Sequence, residues 1–166
     1  MKHKRFASCA LTVVCLLQIT AAMSKTDFSG AWVLDKNRSF SNPPGLEQTL
    51  NVVHTGDQIK LDTKVVTARG EQAINESYIL DGKETGFTPA GGQPGAKGKR
   101  TSTWLPDGRR IIISDEITSD SPKGPVTQKI MRKWTLSTDG STLTVDYFFD
   151  NPGGLSYEAK RVFVRK

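Results

Sequence analysis

Few residues of this chain have the types and spacing that catalysis or metal binding requires. Beyond residue 22, the sequence holds one histidine, His54, and no cysteine. One histidine cannot form an ordinary zinc site, and no nucleophile-elbow motif accompanies it. We interpret His54 as a half-exposed polar residue near the end of a strand. The sequence therefore predicts no catalytic residue, no metal site and no cofactor.

Two other motifs suggest chemistry but have simpler explanations. Asp115 and Glu116 are adjacent in a predicted strand, where neighbouring side chains point to opposite faces, so they cannot share one site. The Gly-rich stretch at 86–98 does not have the spacing of a phosphate-binding loop, because Gln93 replaces the first glycine and Arg100 stands where Ser or Thr is needed. We expect this stretch to be a mobile loop between strands.

The best candidates for chemistry are charged residues on otherwise apolar strand faces. Glu76 shares a face with Tyr78, and Arg132 shares one with Trp134. A buried charge is costly unless it is paired. Glu76 and Arg132 could pair inside the protein, could be turned outward by a strand irregularity, or could line a wet cavity that receives a polar ligand. The sequence favours the first two explanations.

Basic residues could also form a patch if Lys97, Lys99 and Arg100 met Arg109 and Arg110 across a hairpin. Such a patch would attract an anionic surface. We interpret these residues instead as solvated charges that protect a sheet edge.

The first 22 residues have the order of a secretory signal peptide. Three basic residues precede an apolar run at 6–19, and the small residues Ala21 and Ala22 follow. The run is short for a membrane span, which needs about 20 apolar residues. We therefore expect cleavage after Ala22, no stable membrane anchor, and export of a domain at 23–166 to the periplasm or the extracellular space.

Removal of the signal peptide changes the charge and the cysteine content. Three of the 23 basic residues and none of the 17 acidic ones lie in it, so the net charge falls from +6 to +3. Both cysteines, Cys9 and Cys15, also lie in it, so the mature protein has no disulfide. The small remaining charge gives little support for a nucleic-acid partner.

The rest of the chain has the pattern of successive β-strands. Apolar and β-branched residues alternate with polar ones, turn residues such as Asp139-Gly140 separate the segments, and no segment has a helical period. A parallel sheet would need crossover helices, which this sequence does not offer, so the strands should be antiparallel. Closing the sheet into a barrel would remove its two exposed edges. We therefore predict an all-β, up-and-down antiparallel barrel of about 8–10 strands. The predicted strands span 31–35, 49–55, 58–67, 71–80, 99–104, 109–117, 126–136, 142–149 and 157–165, with an irregular connector at 37–47.

The first predicted strand resembles the opening strand of lipocalin-like proteins, through the Gly-x-Trp motif at Gly30, Ala31 and Trp32. The resemblance implies that Trp32 plugs one end of the barrel. It also implies that a basic residue of the last strand, either Arg161 or Arg165, packs across the indole ring, which is a favourable cation–π contact.

Two further stretches, at 78–83 and 134–145, resemble hairpins of a narrower group of exported bacterial lipocalin-like proteins. The likeness covers most of 27–165. It implies a fold, but no reaction or ligand comes with it, because function resides in sites carried by folds.

We expect a non-enzymatic protein that holds a small, largely apolar molecule in a cavity of roughly a few hundred Å³ or more. The alternative is an envelope interaction or structural protein with a filled barrel and an exposed patch around Phe148 and the 86–98 loop. An enzyme would need convergent titratable groups, and the sequence does not indicate them. The predicted cavity wall comprises Leu61, Tyr78, Ile111, Ile113, Trp134, Val145 and Tyr147, with Glu76 and Arg132 as polar anchors.

Overall fold

The computed structural model describes residues 25–90, 94–152 and 154–166, so the predicted signal peptide at 1–22 lies outside the described residues. Within the described part of the chain there are ten strands, and there is no helix with the length and apolarity of a membrane span. The strands are β1 (Gly30–Phe40), β2 (Glu47–Thr55), β3 (Gln58–Thr67), β4 (Gly70–Ile79), β5 (Thr85–Phe87), β6 (Lys97–Trp104), β7 (Arg110–Ser121), β8 (Gly124–Leu136), β9 (Thr142–Asp150) and β10 (Tyr157–Arg165).

All ten strands form one antiparallel sheet in the order β4-β3-β2-β1-β10-β9-β8-β7-β6-β5. Except for β4 and β5, which are the two ends of the sheet, each strand pairs with its neighbours in sequence. The first strand pairs with the last, with Trp32 opposite Arg165. This up-and-down order is the arrangement of lipocalin-like barrels. The predicted all-β, up-and-down fold class is therefore confirmed.

The sheet curls until its two ends approach each other at β4 and β6. Asp81 forms an isolated bridge with Thr103, and the Gly82 N–H donates to the Ser102 carbonyl at 2.9 Å. Beyond this point β4 pairs with β3 on one side and with no described strand on the other. We call the resulting gap between β4 and the β5–β6 hairpin the seam.

The end of the barrel near the start of β1 is plugged by aromatic side chains. Phe28 and Trp32 are fully buried there, and the Trp32 indole N–H donates to the Phe28 carbonyl at 3.2 Å. The Arg165 guanidinium lies 4.4 Å from the centre of the Trp32 ring. Of the two predicted candidates, Arg165 and not Arg161 therefore packs across the indole. Gly30 makes this approach possible, because a Cβ there would lie 2.5 Å from Arg165 Nη1.

Two predicted irregular regions contain strand. β1 runs on to Phe40, which pairs with Lys160 after a register shift that begins at Asp35, so the connector starts later than predicted. β5 begins one residue before the predicted mobile loop at 86–98 and ends inside it, and β6 also begins there, at Lys97. Residues 36–40 are mostly polar and show no apolar alternation, and the 86–98 stretch is rich in Gly and Pro, so neither extension was visible in the sequence.

The basic patch does not form, because its members lie at opposite ends of the β6–β7 hairpin. Lys99 is opposite Glu116 at one end, and Arg110 follows the turn at the other. Lys99 pairs with Glu84 at 3.0 Å, and Arg110 pairs with Asp107 at 2.6 Å. The side chain of Arg100, by contrast, is buried inside the barrel.

Phe148, the centre of the predicted apolar patch, is not among the exposed large apolar residues of the described part of the chain. Phe148 is only half exposed. The exposed large apolar residues of the described part of the chain are Phe40, Val53, Ile79, Val126, Leu155, Tyr157 and Val164.

Candidate functional site

Four charged side chains from four strands meet inside the barrel. Arg100 of β6 contacts Asp115 of β7 through Nε and Oδ1 at 2.6 Å, and contacts Glu76 of β4 through Nη2 and Oε1 at 2.7 Å. Arg132 of β8 contacts the same two carboxylates, Asp115 at 2.5 Å and Glu76 at 3.3 Å. Each arginine therefore bridges both acids. We call these four residues the ion cluster.

The charges of the ion cluster stabilise one another. Burial by itself would raise the pKa of Glu76, but the positive charges of Arg132 and Arg100 outweigh it and hold the pKa below its ordinary value. Burial would lower the pKa of Arg132, yet its interactions with Tyr78 and with the two carboxylates raise it. Of the explanations for Glu76 and Arg132 that the sequence left open, the structure shows the internal pair.

Aromatic rings enclose the ion cluster. The Tyr78 hydroxyl donates to Glu76 Oε2 at 2.8 Å, and burial raises the pKa of this phenol, so it remains a donor. The Arg100 guanidinium lies between two rings, 4.7 Å from the centre of Tyr78 and 4.2 Å from that of Phe87. Because Glu76 belongs to β4 and its arginine partners belong to β6 and β8, the ion cluster links the two sides of the seam.

A cavity of about 160 Å³ lies beside the ion cluster. It is smaller than the size expected from the sequence. A larger surface pocket of about 520 Å³ lies beyond Val65, between Pro43-Pro44 and the β3–β4 turn. The inner cavity is lined by both apolar and polar side chains: Gln48, Leu50, Leu61, Thr63, Val65, Ile74, Glu76, Arg132, Trp134, Val145, Tyr147 and Arg161.

Arg161 is the lining residue whose charge the described protein leaves uncompensated. Its Nε donates to Asn42 Oδ1 at 3.2 Å, and its Nη1 donates to Gln48 Oε1 at 2.9 Å and to the Tyr147 hydroxyl at 3.4 Å. All three acceptors are neutral, and Nη2 takes part in none of these bonds. The guanidinium also stacks on the Tyr147 ring at 4.6 Å.

Further donors of the lining residues are free within the described part of the chain. The side-chain oxygen of Gln48 accepts a hydrogen bond from Arg161, and its amide N–H₂ group makes no hydrogen bond with the described residues. The buried Trp134 indole N–H and Arg132 Nε likewise have no partner among the described residues. Unsatisfied buried donors are destabilising by about 1–3 kcal/mol each. The site is therefore rich in donors and short of acceptors.

The structure brings together six of the nine residues predicted for the site. Tyr78 lies under the ion cluster and does not line the cavity. Ile111 and Ile113 are fully buried in the core of β7 and do not line it either. The six that line the cavity are Leu61, Glu76, Arg132, Trp134, Val145 and Tyr147.

Sequence reasoning missed several polar members of the site. Gln48 immediately precedes a predicted strand, and its alternation with Leu50 could have placed it inside. Asp115 shares a strand face with Ile111, Ile113 and Ile117, and this alternation could have placed it inside. Arg100 alternates mostly with small residues, so no apolar pattern indicated that its face was buried. Arg161, one of the two residues that the resemblance offered for the contact with Trp32, lies at the cavity instead.

The described residues hold no cluster of three or more His, Cys, Asp or Glu side chains that could bind a metal ion. His54 lies at the plugged end, away from the cavity, with its ring 5.8 Å from Phe28 and 5.6 Å from Trp104. Its side chain is 5% exposed, so it is more buried than the sequence suggested.

No protein-family model matches this chain, and no curated protein sequence matches it significantly. Among solved structures, it is similar to secretory abundant heat soluble protein 4 from Ramazzottius varieornatus, with 15% identity and a TM-score of 0.49 over 84% of this chain and 94% of that one. It is also similar to a zebrafish ileal bile acid-binding protein complexed with cholic acid, with 13% identity and a TM-score of 0.44 over 84% of this chain and 98% of that one. The fold class of the present chain follows from its own strand order and pairing.

Proposed function

We propose that this protein binds a small, largely apolar molecule carrying one anionic group, with the apolar part in the inner cavity and the anion at Arg161. The observation that carries the proposal is the position of Arg161, at a cavity with a partly apolar wall and bonded only to neutral groups in the described chain. A partly buried cation without a counter-charge is costly, and an anionic ligand would supply that charge.

The neighbouring donors support the same proposal. Arg161 Nη2 and the amide N–H₂ group of Gln48 are both unused by other described residues, and the two side chains are joined by a 2.9 Å hydrogen bond. A carboxylate needs several donors close together, and charge-assisted bonds from an arginine are the stronger ones. Glu76 and Arg132, by contrast, are engaged with each other and act as part of the wall.

A binding role rather than a catalytic one is supported by the state of the titratable groups. Glu76, Asp115, Arg100 and Arg132 already satisfy one another within the ion cluster. A general acid or base needs a pKa near the working pH, and the pKa shifts of Glu76 and Arg132 move away from neutrality.

We also propose that the protein is exported and belongs with the bacterial lipocalin-like group that its sequence resembles. The basic, apolar and small residues at 1–22 support export. The cation–π contact between Trp32 and Arg165 supports the resemblance, since it is the contact that the Gly-x-Trp motif implies. N-terminal sequencing of protein from its source tests export: a start at Met23 is expected, and a start at Met1 would contradict it.

One observation favours the alternative of a structural or interaction protein with a filled barrel. The ion cluster and the aromatic plug occupy much of the interior, and the cavity that remains is about 160 Å³. Under that alternative no small molecule would bind, so the two functions differ in a direct binding experiment.

Calorimetric titration tests the proposed function by comparing acids with their uncharged amides. We expect hexanoate or benzoate to bind at least about tenfold more tightly than hexanamide or benzamide, because only the acids neutralise Arg161. Gln48→Glu would place a carboxylate beside Arg161 with almost no change of volume, and should abolish acid binding. Gln58→Glu adds the same charge on the exposed surface and is the matched control. Equal binding of acids and amides, or no binding of either, would refute the proposal.

A further inference from the structure

Resting on the proposed function, we infer that the preferred ligand is a single-ring aromatic acid of about the size of benzoate. The inference combines the volume of the cavity, the shape of its walls and the position of the cation. Each of these is a property of the described residues, and each excludes a different class of apolar anion.

The volume selects a ring over a long chain. A protein cavity of 150 Å³ lined by apolar side chains is known to hold one benzene molecule, and the cavity here is about 160 Å³. An acid with a long alkyl chain would have to leave the cavity past Val65 and continue into the surface pocket near Pro43-Pro44. That route exposes part of the chain to water and returns little hydrophobic free energy.

The walls select a flat ring over a puckered one. The Tyr147 ring is fixed by two contacts, with the Arg161 guanidinium 4.6 Å from its centre and the parallel Phe149 ring centred 5.7 Å away, with the two planes 4° apart. Trp134 is held edge-on to Phe28 and to Tyr78, with interplanar angles of 80° and 81°. Two rings fixed in orientation favour a flat aromatic partner, because aromatic pairs gain stabilisation beyond the burial of their area.

The cation places the acid group at the polar side of the cavity. Gln48, Tyr147 and Arg161 lie together at one edge of a lining whose other members include Leu50, Leu61 and Val145. A carboxylate bound at that edge leaves its ring to extend among the apolar side chains. An acid whose carboxylate is attached directly to the ring suits this arrangement better than an acid with a flexible linker between them, because less conformational freedom is lost on binding.

Calorimetric titration with four acids tests the inference: benzoate, cyclohexanecarboxylate, hexanoate and dodecanoate. We expect benzoate to bind roughly fivefold or more tightly than cyclohexanecarboxylate, which has the same acid group and a similar size but no flat ring. We also expect dodecanoate to bind no more tightly than hexanoate, since its extra carbons gain no buried contact.

Variants of Tyr147 supply a second measurement. Tyr147→Leu should reduce the preference for benzoate over cyclohexanecarboxylate to about twofold or less, whereas Tyr147→Phe keeps the flat wall and should retain the preference. Tighter binding of dodecanoate or cyclohexanecarboxylate than of benzoate would overturn the ring proposal and leave the anion site intact. Failure of all four acids to bind would overturn both proposals.

Discussion

At the scale of single residues, His54 shows how burial can tie stability to pH without any catalytic role. Its Nδ1 accepts a hydrogen bond from the Phe28 N–H at 3.3 Å, and its Nε2 has no partner among the described residues. Burial lowers the pKa of His54, and the nearby charge of Asp27 offsets only part of this effect. The neutral imidazole is therefore the form that the folded protein holds.

We predict that the protein loses stability as the pH falls below 6.5. The unfolded chain takes up a proton at the ordinary histidine pKa of 6.5, whereas folded His54 does so only at a lower pH. The unfolded state therefore binds more protons in this range, and the free energy of unfolding falls. Urea denaturation between about pH 7.5 and pH 5.5 measures the effect.

The control for this prediction is His54→Asn, which keeps a hydrogen-bond acceptor but does not titrate. Its free energy of unfolding should change less across the same pH range. Glu76 affects the pH dependence of stability only below about pH 4.5, because its pKa in the folded protein is lowered from the ordinary value of 4.5. Its stabilisation is lost as the pH falls through that lowered pKa. An identical slope in the parent and the variant would show that His54 is not the source.

A second prediction at this scale concerns the ion cluster. Glu76→Gln should destabilise the protein by roughly 3 kcal/mol, near the low end for breaking a buried pair, because the Glu76 side chain is 21% exposed. The exposed pair between Glu116 and Lys129 provides the matched control, and Glu116→Gln should cost less than about 1 kcal/mol. Similar losses in the two variants would mean that the ion cluster does not hold the seam.

At the scale of secondary-structure elements, the longer strands could be predicted and β5 could not. The alternation of Leu143 and Val145 with polar neighbours placed β9 correctly, because one face of that strand is buried and the other is wet. β5 has three residues, and it is held by the pairing of Gly86 with Lys99 and by the packing of Phe87 over Gly98. Such contacts between distant residues leave no period in a sequence.

This packing gives a prediction for the β5–β6 hairpin. A Cβ on Gly98 would lie 2.4 Å from the Phe87 ring, so Gly98→Ala should displace Phe87 from Arg100 and cost about 1–3 kcal/mol. At Gly86 the nearest atom is 4.0 Å away, and Gly86→Ala should change stability by less than about 0.5 kcal/mol. Thermal unfolding compares the two, and hydrogen exchange should rise at β5 in Gly98→Ala alone. Equal tolerance of both substitutions would contradict this account of β5.

At the scale of the whole molecule, the barrel and part of its site could be predicted from the sequence. The seam and the uncompensated charge of Arg161 could be recognised only in the folded structure. Strand alternation and turns suffice for an up-and-down sheet in which β1 meets β10. The partnership of Glu76 with Arg132 was foreseen as one alternative, since two opposite charges faced inward. The role of Arg161 depends on which acceptors surround it, and two of these, Asn42 and Gln48, lie 119 and 113 residues away from it in the chain.

The three tryptophans report separately on the plug and on the cavity, which gives the most direct test of ligand binding. Trp134 lines the cavity, Trp32 lies in the plug, and Trp104 donates its indole N–H to Asp57 at 3.1 Å. The measurement is a titration of the ¹⁵N-labelled protein with benzoate and with hexanoate, followed by the three indole N–H signals in nuclear magnetic resonance spectra. The account predicts a saturable shift of the Trp134 signal with at least one acid, unchanged Trp32 and Trp104 signals, and no shift in Gln48→Glu. A Trp134 signal that stays in place with both acids, or that shifts equally in Gln48→Glu, would contradict it.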